Sequence, residues 1–267
     1  MSRELQDLAV RVATAAGERA ATWRTQGVEV SALKSSPTDV VTEADEATET
    51  FLREQLLDAR PDDGILGEEG DGLASRSGLT WVVDPIDGTV NYLYDIPAWA
   101  VSVAVVEGDP EPGRWRTVAG CVVNPVLGEV YAGFAGGGAT LNGRRLTASG
   151  RTDLGRALVA TGFGYAATRR REQAEVLLRM ITRVRDIRRM GAASLDLCGV
   201  AAGRLDAYWE RGLQPWDHAA GALIAREAGA TVGGLAPGSR ETEEFTLAAA
   251  PGISGALRAA LVDAGVP

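Results

Sequence analysis

Trp81-Val82-Val83-Asp84-Pro85-Ile86-Asp87-Gly88-Thr89 begins as a buried strand and ends in two carboxylates followed by Gly-Thr, where a helix can start. Asp84 and Asp87 stand three apart, so a tight turn between them can point both carboxylates and the Ile86 carbonyl into one space. Gly88 permits close backbone approach, and the N–H groups of Gly88 and Thr89 at a helix start form a natural phosphate cradle. Asp-Pro and Asp-Gly are also ordinary turn pairs, so an Asx turn followed by a helix cap accounts for the same residues without any chemistry.

Other acids along the chain weigh on that choice. Glu68 and Glu69 follow Gly67 at the end of a short apolar strand, where adjacent glutamates serve either a nearby cation or a solvated loop. Asp217, after Trp216, opens a small-residue helix as an N-cap or as a carboxylate facing a site. Thr42-Glu43-Ala44-Asp45 has the spacing of a capping box.

The pattern around these acids is mixed. Leu5, Leu8, Ala9, Val12, Ala15, Ala16 and Ala20 recur at helical spacing over residues 3–24, and a second helix is expected from Thr42 to about Asp58. Short β-prone runs follow at 64–67, 79–83, 99–106, 115–123, 129–134 and 157–161, broken by Gly, Pro or Asn. The Gly-rich segment 133–143 reads as a hairpin turn, and 110–113 and 237–239 read as exposed turns. The second half alternates: helices at 168–183, 192–202 and 216–228, strands at 186–189 and 205–209, then a strand and a final helix. No internal repeat and no linker divides the chain. One domain over residues 1–267 is expected, an α+β half (1–150) followed by an α/β half (151–267).

Composition narrows the function. A net charge of −9 argues against a general grip on nucleic acid or an anionic membrane. An acidic protein handling an anionic substrate needs local positive charge, and bound cations are the simplest source. No stretch approaches the roughly 18 apolar residues of a membrane span, and the N-terminus lacks the apolar core of a signal peptide. Cys121 and Cys198 lie in apolar surroundings and read as buried free thiols, which fits a reducing cytoplasm.

Taken together and in order, these elements resemble the inositol monophosphatase family of lithium-sensitive, magnesium-dependent phosphatases. The matching stretches are Lys34-Ser35-Ser36-Pro37-Thr38-Asp39 with Asp45, Gly67-Glu68-Glu69, Asp84 through Tyr92, and Gly191 to Gly229 with Asp206-Ala207-Tyr208-Trp209-Glu210 and Trp216-Asp217-His218. The resemblance implies a layered α-β-α-β-α sandwich with the site at the junction of its halves, and a homodimer. By that pattern Glu68, Asp84 and the Ile86 carbonyl hold a first magnesium ion, Asp84, Asp87 and Asp217 a second, and Glu68 helps a weaker third. Paired ions roughly 3.5–4 Å apart clamp phosphoryl oxygens and activate a water. Thr89 with Asp45, or alternatively Glu68, orients or deprotonates that water. Glu69 positions the magnesium waters, and the Lys34 to Asp39 loop closes over the metals. Asp87, Gly88, Thr89, Ala193 and Glu210 contact the substrate.

The implied reaction is hydrolysis of a small phosphate monoester, inositol 1-phosphate first. Fructose-1,6-bisphosphatase, histidinol-phosphate phosphatase and 3′-phosphoadenosine 5′-phosphate phosphatase share the metal motifs, so specificity is expected to lie in 161–168 and 191–210. A partner role in transcription machinery alongside catalysis is the alternative of another class. His218, the single histidine, reads as a bystander, and Arg169-Arg170-Arg171 with Arg185, Arg188 and Arg189 as a solvated face.

Overall fold

The computed structural model describes residues 1–27, 30–33, 40–108 and 113–266. Among these lie helices α1 (Ser2–Thr25), α2 (Glu43–Ala59), α3 (Thr89–Leu93), α4 (Ala167–Met180), α5 (Ala193–Ala201), α6 (Pro215–Glu227) and α7 (Pro251–Asp263). The strands are β1 (Val30–Leu33), β2 (Val40–Thr42), β3 (Gly64–Gly67), β4 (Leu79–Asp87), β5 (Ala100–Gly108), β6 (Trp115–Asn124), β7 (Glu129–Phe134), β8 (Gly138–Leu141), β9 (Arg144–Arg145), β10 (Leu158–Thr161), β11 (Asp186–Arg188), β12 (Ala207–Glu210), β13 (Thr231–Gly233) and β14 (Thr246–Ala249). Strands β3 to β9 form a seven-stranded sheet in chain order, parallel between β3 and β4 and antiparallel elsewhere. The other large sheet has five strands in the order β11-β10-β12-β14-β13, with β10 parallel to both of its neighbours.

Three apolar clusters stack these layers. Helices α1 and α2 place Leu5, Leu8, Val12, Leu52 and Leu56 against Trp81, Val83, Val101 and Val103 on one face of the larger sheet. Helices α5 and α6 fill the space between the sheets with Leu197, Cys198, Ala220 and Ile224. Helices α4 and α7 cover the far face of the smaller sheet with Val176, Met180, Leu257 and Leu261. The expected α-β-α-β-α sandwich is therefore observed. Strands β4 and β5 read as continuous apolar runs because they are covered on both faces: Val82 packs inward while Trp81 and Val83 pack outward.

Strand β4 differs from expectation where it matters most. Instead of ending at Val83 in a turn, it continues to Asp87, pairing Asp84 with Ser102 and Asp87 with Ala100. Pro85 and Ile86 thus oppose Val101 alone, which is a β-bulge. In a regular strand residues three apart face opposite sides; the extra residue restores the same side and re-aims the carboxylates. Gly88 follows at φ +96°, a left-handed conformation that suits glycine. The segment 133–143, expected as a turn only, also contains β8. The loop from Lys34 to Asp39 and most of the 110–113 turn lie outside the described residues. Cys121 and Cys198 are buried and free. No helix among the described residues is long and apolar enough to cross a membrane.

Candidate active site

The bulge at the end of β4 opens into a cavity of about 570 Å³, within the size range of small-molecule sites. Asp84 and Asp87 enter it from β4, Glu68 from the turn after β3, Asp217 from the first turn of α6, and Glu210 from the end of β12. One carboxylate oxygen from each of Asp84, Asp87 and Asp217 lies within 4.8 Å of the others. Glu68, Ile86, Gly88, Thr89 and Ala193 line the same cavity. Glu69 is not among its lining residues.

Asp45 serves two purposes. One oxygen closes the capping box of α2, accepting from the Thr42 N–H at 2.9 Å and from the Thr42 hydroxyl. The other faces the Thr89 hydroxyl, whose single proton is within reach of both Asp45 Oδ1 at 3.2 Å and the Ile86 carbonyl at 3.1 Å. The cap and the site are the same carboxylate, so neither reading of Thr42-Glu43-Ala44-Asp45 displaces the other.

The turn that carries Glu68 is held from α2 by a residue that sequence reasoning did not single out. Glu49 is 1 % exposed and accepts from the Glu69 N–H at 2.7 Å, the Gly70 N–H at 2.8 Å and Arg53 Nε at 2.8 Å. A Cβ at Gly67 would stand 2.5 Å from Glu49 Oε1, so the strand end must be glycine for this approach. By sequence Glu49 is one acid among several on an amphipathic helix, and nothing in that pattern marks it out.

Asp87 is gripped by the opposite half of the chain. Its carboxylate accepts from the Ala193 N–H at 3.2 Å, and from the Ser194 N–H at 2.7 Å and hydroxyl at 2.5 Å, at the start of α5. Ala193 therefore commits its N–H to Asp87 while lining the cavity. Glu210 accepts from the Tyr208 hydroxyl at 2.7 Å. A Cβ at Gly162 would stand 1.8 Å from Glu210 Oε2, which explains the glycine directly after β10. The expectation of a solvated basic face is corrected for two residues: Arg169 and Arg189 line the cavity, because the end of β11 and the start of α4 converge on it. His218 faces the interior near Trp115, 6.3 Å between rings, and neither ring nitrogen has a partner.

The electrostatics follow from crowding acids in a dry place. Burial, then the charges of Glu68, Asp87 and Asp217, hold the Asp84 carboxyl well above its usual range. Burial and then Asp87 and Glu68 do the same to Asp217. Asp87 is pushed up to about 6 by burial, against the opposing hydrogen bonds from α5. Asp45 also rises to about 6, by burial against the bonds from Thr42 and Thr89. Hard oxygen donors that repel one another are what a divalent cation relieves, so this donor set fits a metal ion.

The chain matches the sequence profile of the inositol monophosphatase family over residues 1–264. It is 50 % identical over 237 residues to the inositol-1-monophosphatase SuhB of Mycobacterium tuberculosis (strain ATCC 25618 / H37Rv), covering 85 % of this chain and 80 % of the relative. It is 38 % identical over 251 residues to the Nus factor SuhB of Pasteurella multocida (strain Pm70), covering 92 % and 91 %. The solved structure of Mycobacterium tuberculosis SuhB superposes with a TM-score of 0.83 at 43 % identity, covering 98 % of this chain and 97 % of that one. With the carboxylate cluster, the sandwich and the full-length match in agreement, this chain belongs to the inositol monophosphatase family, a family of metal-dependent phosphatases.

Proposed function

We propose that this chain hydrolyses a small phosphate monoester, with inositol 1-phosphate the preferred substrate and magnesium the metal, giving myo-inositol and phosphate. The observation that carries the reading is the convergence of Asp84, Asp87 and Asp217 on one point of a cavity that also holds Glu68 and the Thr89–Asp45 pair. Glu68, Asp84 and the Ile86 carbonyl are assigned to a first ion, Asp84, Asp87 and Asp217 to a second, and Glu68 to a weaker third. When bound, such ions neutralise phosphoryl charge, lower the pKa of water and stabilise the leaving alkoxide.

The chain's own residues do the rest. With its proton turned to Asp45, the Thr89 hydroxyl has lone pairs free to accept a hydrogen bond from the attacking water. Asp45, titrating near 6, is ionised at neutral pH and can take the proton that Thr89 relays. Glu68, on the same cavity wall, is the competing base. Gly88 and Thr89 are assigned to the phosphate, and Asp87, Ala193 and Glu210 to the alcohol; all five line the cavity. Glu69 is assigned to positioning magnesium waters, and closure over the metals to the Lys34 to Asp39 loop.

The chain is read as one domain and as a homodimer in the cytoplasm. Tyr94, Ile96, Val126, Leu127 and Met190 are exposed apolar residues on neighbouring loops, tied together where Asn124 donates to Pro97 and Asn91 to Met190. Such a patch suits a second copy, and buried unpaired thiols suit a reducing compartment. Partnership with transcription machinery is a second reading, favoured by the relative named a Nus factor; co-sedimentation with RNA polymerase tests it.

Phosphate release from inositol 1-phosphate, fructose 1,6-bisphosphate, histidinol phosphate and 3′-phosphoadenosine 5′-phosphate, with magnesium and with added lithium, tests the main reading. Inositol 1-phosphate is expected to lead and lithium to inhibit. A different leading substrate moves the assignment within the family.

A further inference from the structure

Glu210 is held in place by a residue outside the catalytic cavity. It ends β12, and among the described residues it alone lines both the catalytic cavity and a second cavity of about 400 Å³ behind it. Open space on two sides leaves packing a small part in fixing this strand end. Pairing with Thr246 of β14 holds its backbone from one edge. On the other edge the ladder to β10 stops one residue earlier, at Thr161 and Trp209. Where it stops, the side chain of Gln173 on α4 takes over. Its Oε1 accepts from the Gly164 N–H at 2.9 Å, and its Nε2 donates to the Arg211 carbonyl at 3.3 Å. Arg211 directly follows Glu210, and the segment of Gly164 packs on the Glu210 carboxylate through Gly162.

We propose that Gln173 is a positioning residue for leaving-group specificity: its amide stands in for the missing rung and clasps the two backbone segments around Glu210. This rests on the assignment of Glu210 to the alcohol and extends it to a side chain that lines only the rear cavity. Its neighbours on α4 do not replace it. Glu172 stands 3.5 Å from Arg211, with side chains 63 % and 27 % exposed, and ion pairs of that kind contribute little. Arg169, one turn earlier, lies against Gly164 and Gly212 but hydrogen-bonds to neither. The rest of the 211–214 segment is anchored independently: the Gly212 N–H donates to the Glu243 carbonyl at 2.7 Å, and the Gln214 N–H to Asp217 at 2.6 Å. Loss of the clasp therefore stays local to Glu210 and spares the metal ligands.

The test uses the full-length magnesium-loaded enzyme with Gln173→Met, which keeps the length of the side chain and loses both bonds, and Gln173→Glu, which keeps the acceptor for Gly164 alone. Rates are measured for inositol 1-phosphate and for phenyl phosphate, whose alcohol brings no further hydroxyl to Glu210. Two neutral hydrogen bonds together are worth roughly 5- to 100-fold. With Gln173→Met, kcat/KM for the inositol ester is expected to fall at least about tenfold, chiefly through KM, against less than about threefold for the phenyl ester. The magnesium concentration for half-maximal activity is expected to stay within about twofold of wild type. With Gln173→Glu the difference between the esters shrinks to roughly threefold, and that value decides if the methionine variant does not fold. Equal losses on both esters, no loss on either, or a loss that follows a shifted magnesium dependence overturns the proposal. A wild-type enzyme that cleaves neither ester, or the phenyl ester alone, instead overturns the reading of the site on which it rests.

Discussion

Replacing Glu49 tests whether the turn bearing Glu68 is held from α2. The wild-type carboxylate accepts from two backbone N–H groups and one guanidinium nitrogen, all at 2.7–2.8 Å, at a site 1 % exposed. Glu49→Gln preserves volume but turns one oxygen into a donor that faces a donor, so at least one of the three bonds is lost and the others lose their charge. Hydrogen bonds to charged groups contribute about 1.5–3 kcal/mol each, and a buried N–H left unpaired costs about 1–3. Arg53 is 22 % exposed on its side chain and recovers part of its loss from water. The sum is about 2–4 kcal/mol, or a fall in Tm of roughly 4–16 °C at the 2–4 °C per kcal/mol expected for a large domain. The second consequence concerns function: Glu68 becomes less ordered, and the magnesium concentration for half-maximal activity rises by about 10- to 100-fold, as for other supporting residues of metal sites. Urea unfolding at fixed pH and a magnesium titration read the two effects. A variant less than about 1 kcal/mol destabilised, or one with unchanged magnesium dependence, refutes the claim that Glu49 positions Glu68.

Other consequences are open to direct measurement. Asp45 and Asp87 titrate near 6 in the fold against about 3.9 in an unfolded chain. Between these values the folded state binds more protons, so the metal-free protein loses stability as pH rises from about 4 to 6, and magnesium should abolish that loss at pH 7; a metal-free Tm that climbs over this window contradicts it. Gly162→Ala places a Cβ where Glu210 now lies; it is expected to lower kcat/KM for inositol 1-phosphate at least about tenfold, while tryptophan fluorescence and far-UV circular dichroism show whether the fold survives. Leu127→Asp, in the exposed apolar patch, should halve the mass measured by light scattering, and an unchanged mass removes that patch from the interface.

Periodicity exposed the layers well because outer helices such as α1 are amphipathic and short strands are punctuated by Gly and Pro. It failed at β8, where Gly136, Gly137 and Gly138 made a strand start look like more turn, and at the end of β4. There Asp84 and Asp87 suggested a turn, because the bulge that serves the same end depends on how β5 pairs, which local sequence does not encode. The acids of the site were legible as a set because their order and spacing resemble a family. Glu49, Ser194 and Gln173 were not, since each joins the site through contacts across 20 or more positions. Arg169 and Arg189 were misassigned for the same reason: a basic helix face is normally solvated, and only the fold turns one residue of it inward.

The most direct test of metal-dependent hydrolysis at this cluster is phosphate release from inositol 1-phosphate as magnesium is titrated into chelator-stripped protein, wild type beside Asp87→Asn. No release without magnesium, a saturable rise with it, and a loss of at least about 100-fold in the variant are expected. Release that persists in the presence of chelator, or that is unchanged in Asp87→Asn, contradicts the assignment of the Asp84, Asp87 and Asp217 cluster as the catalytic metal site.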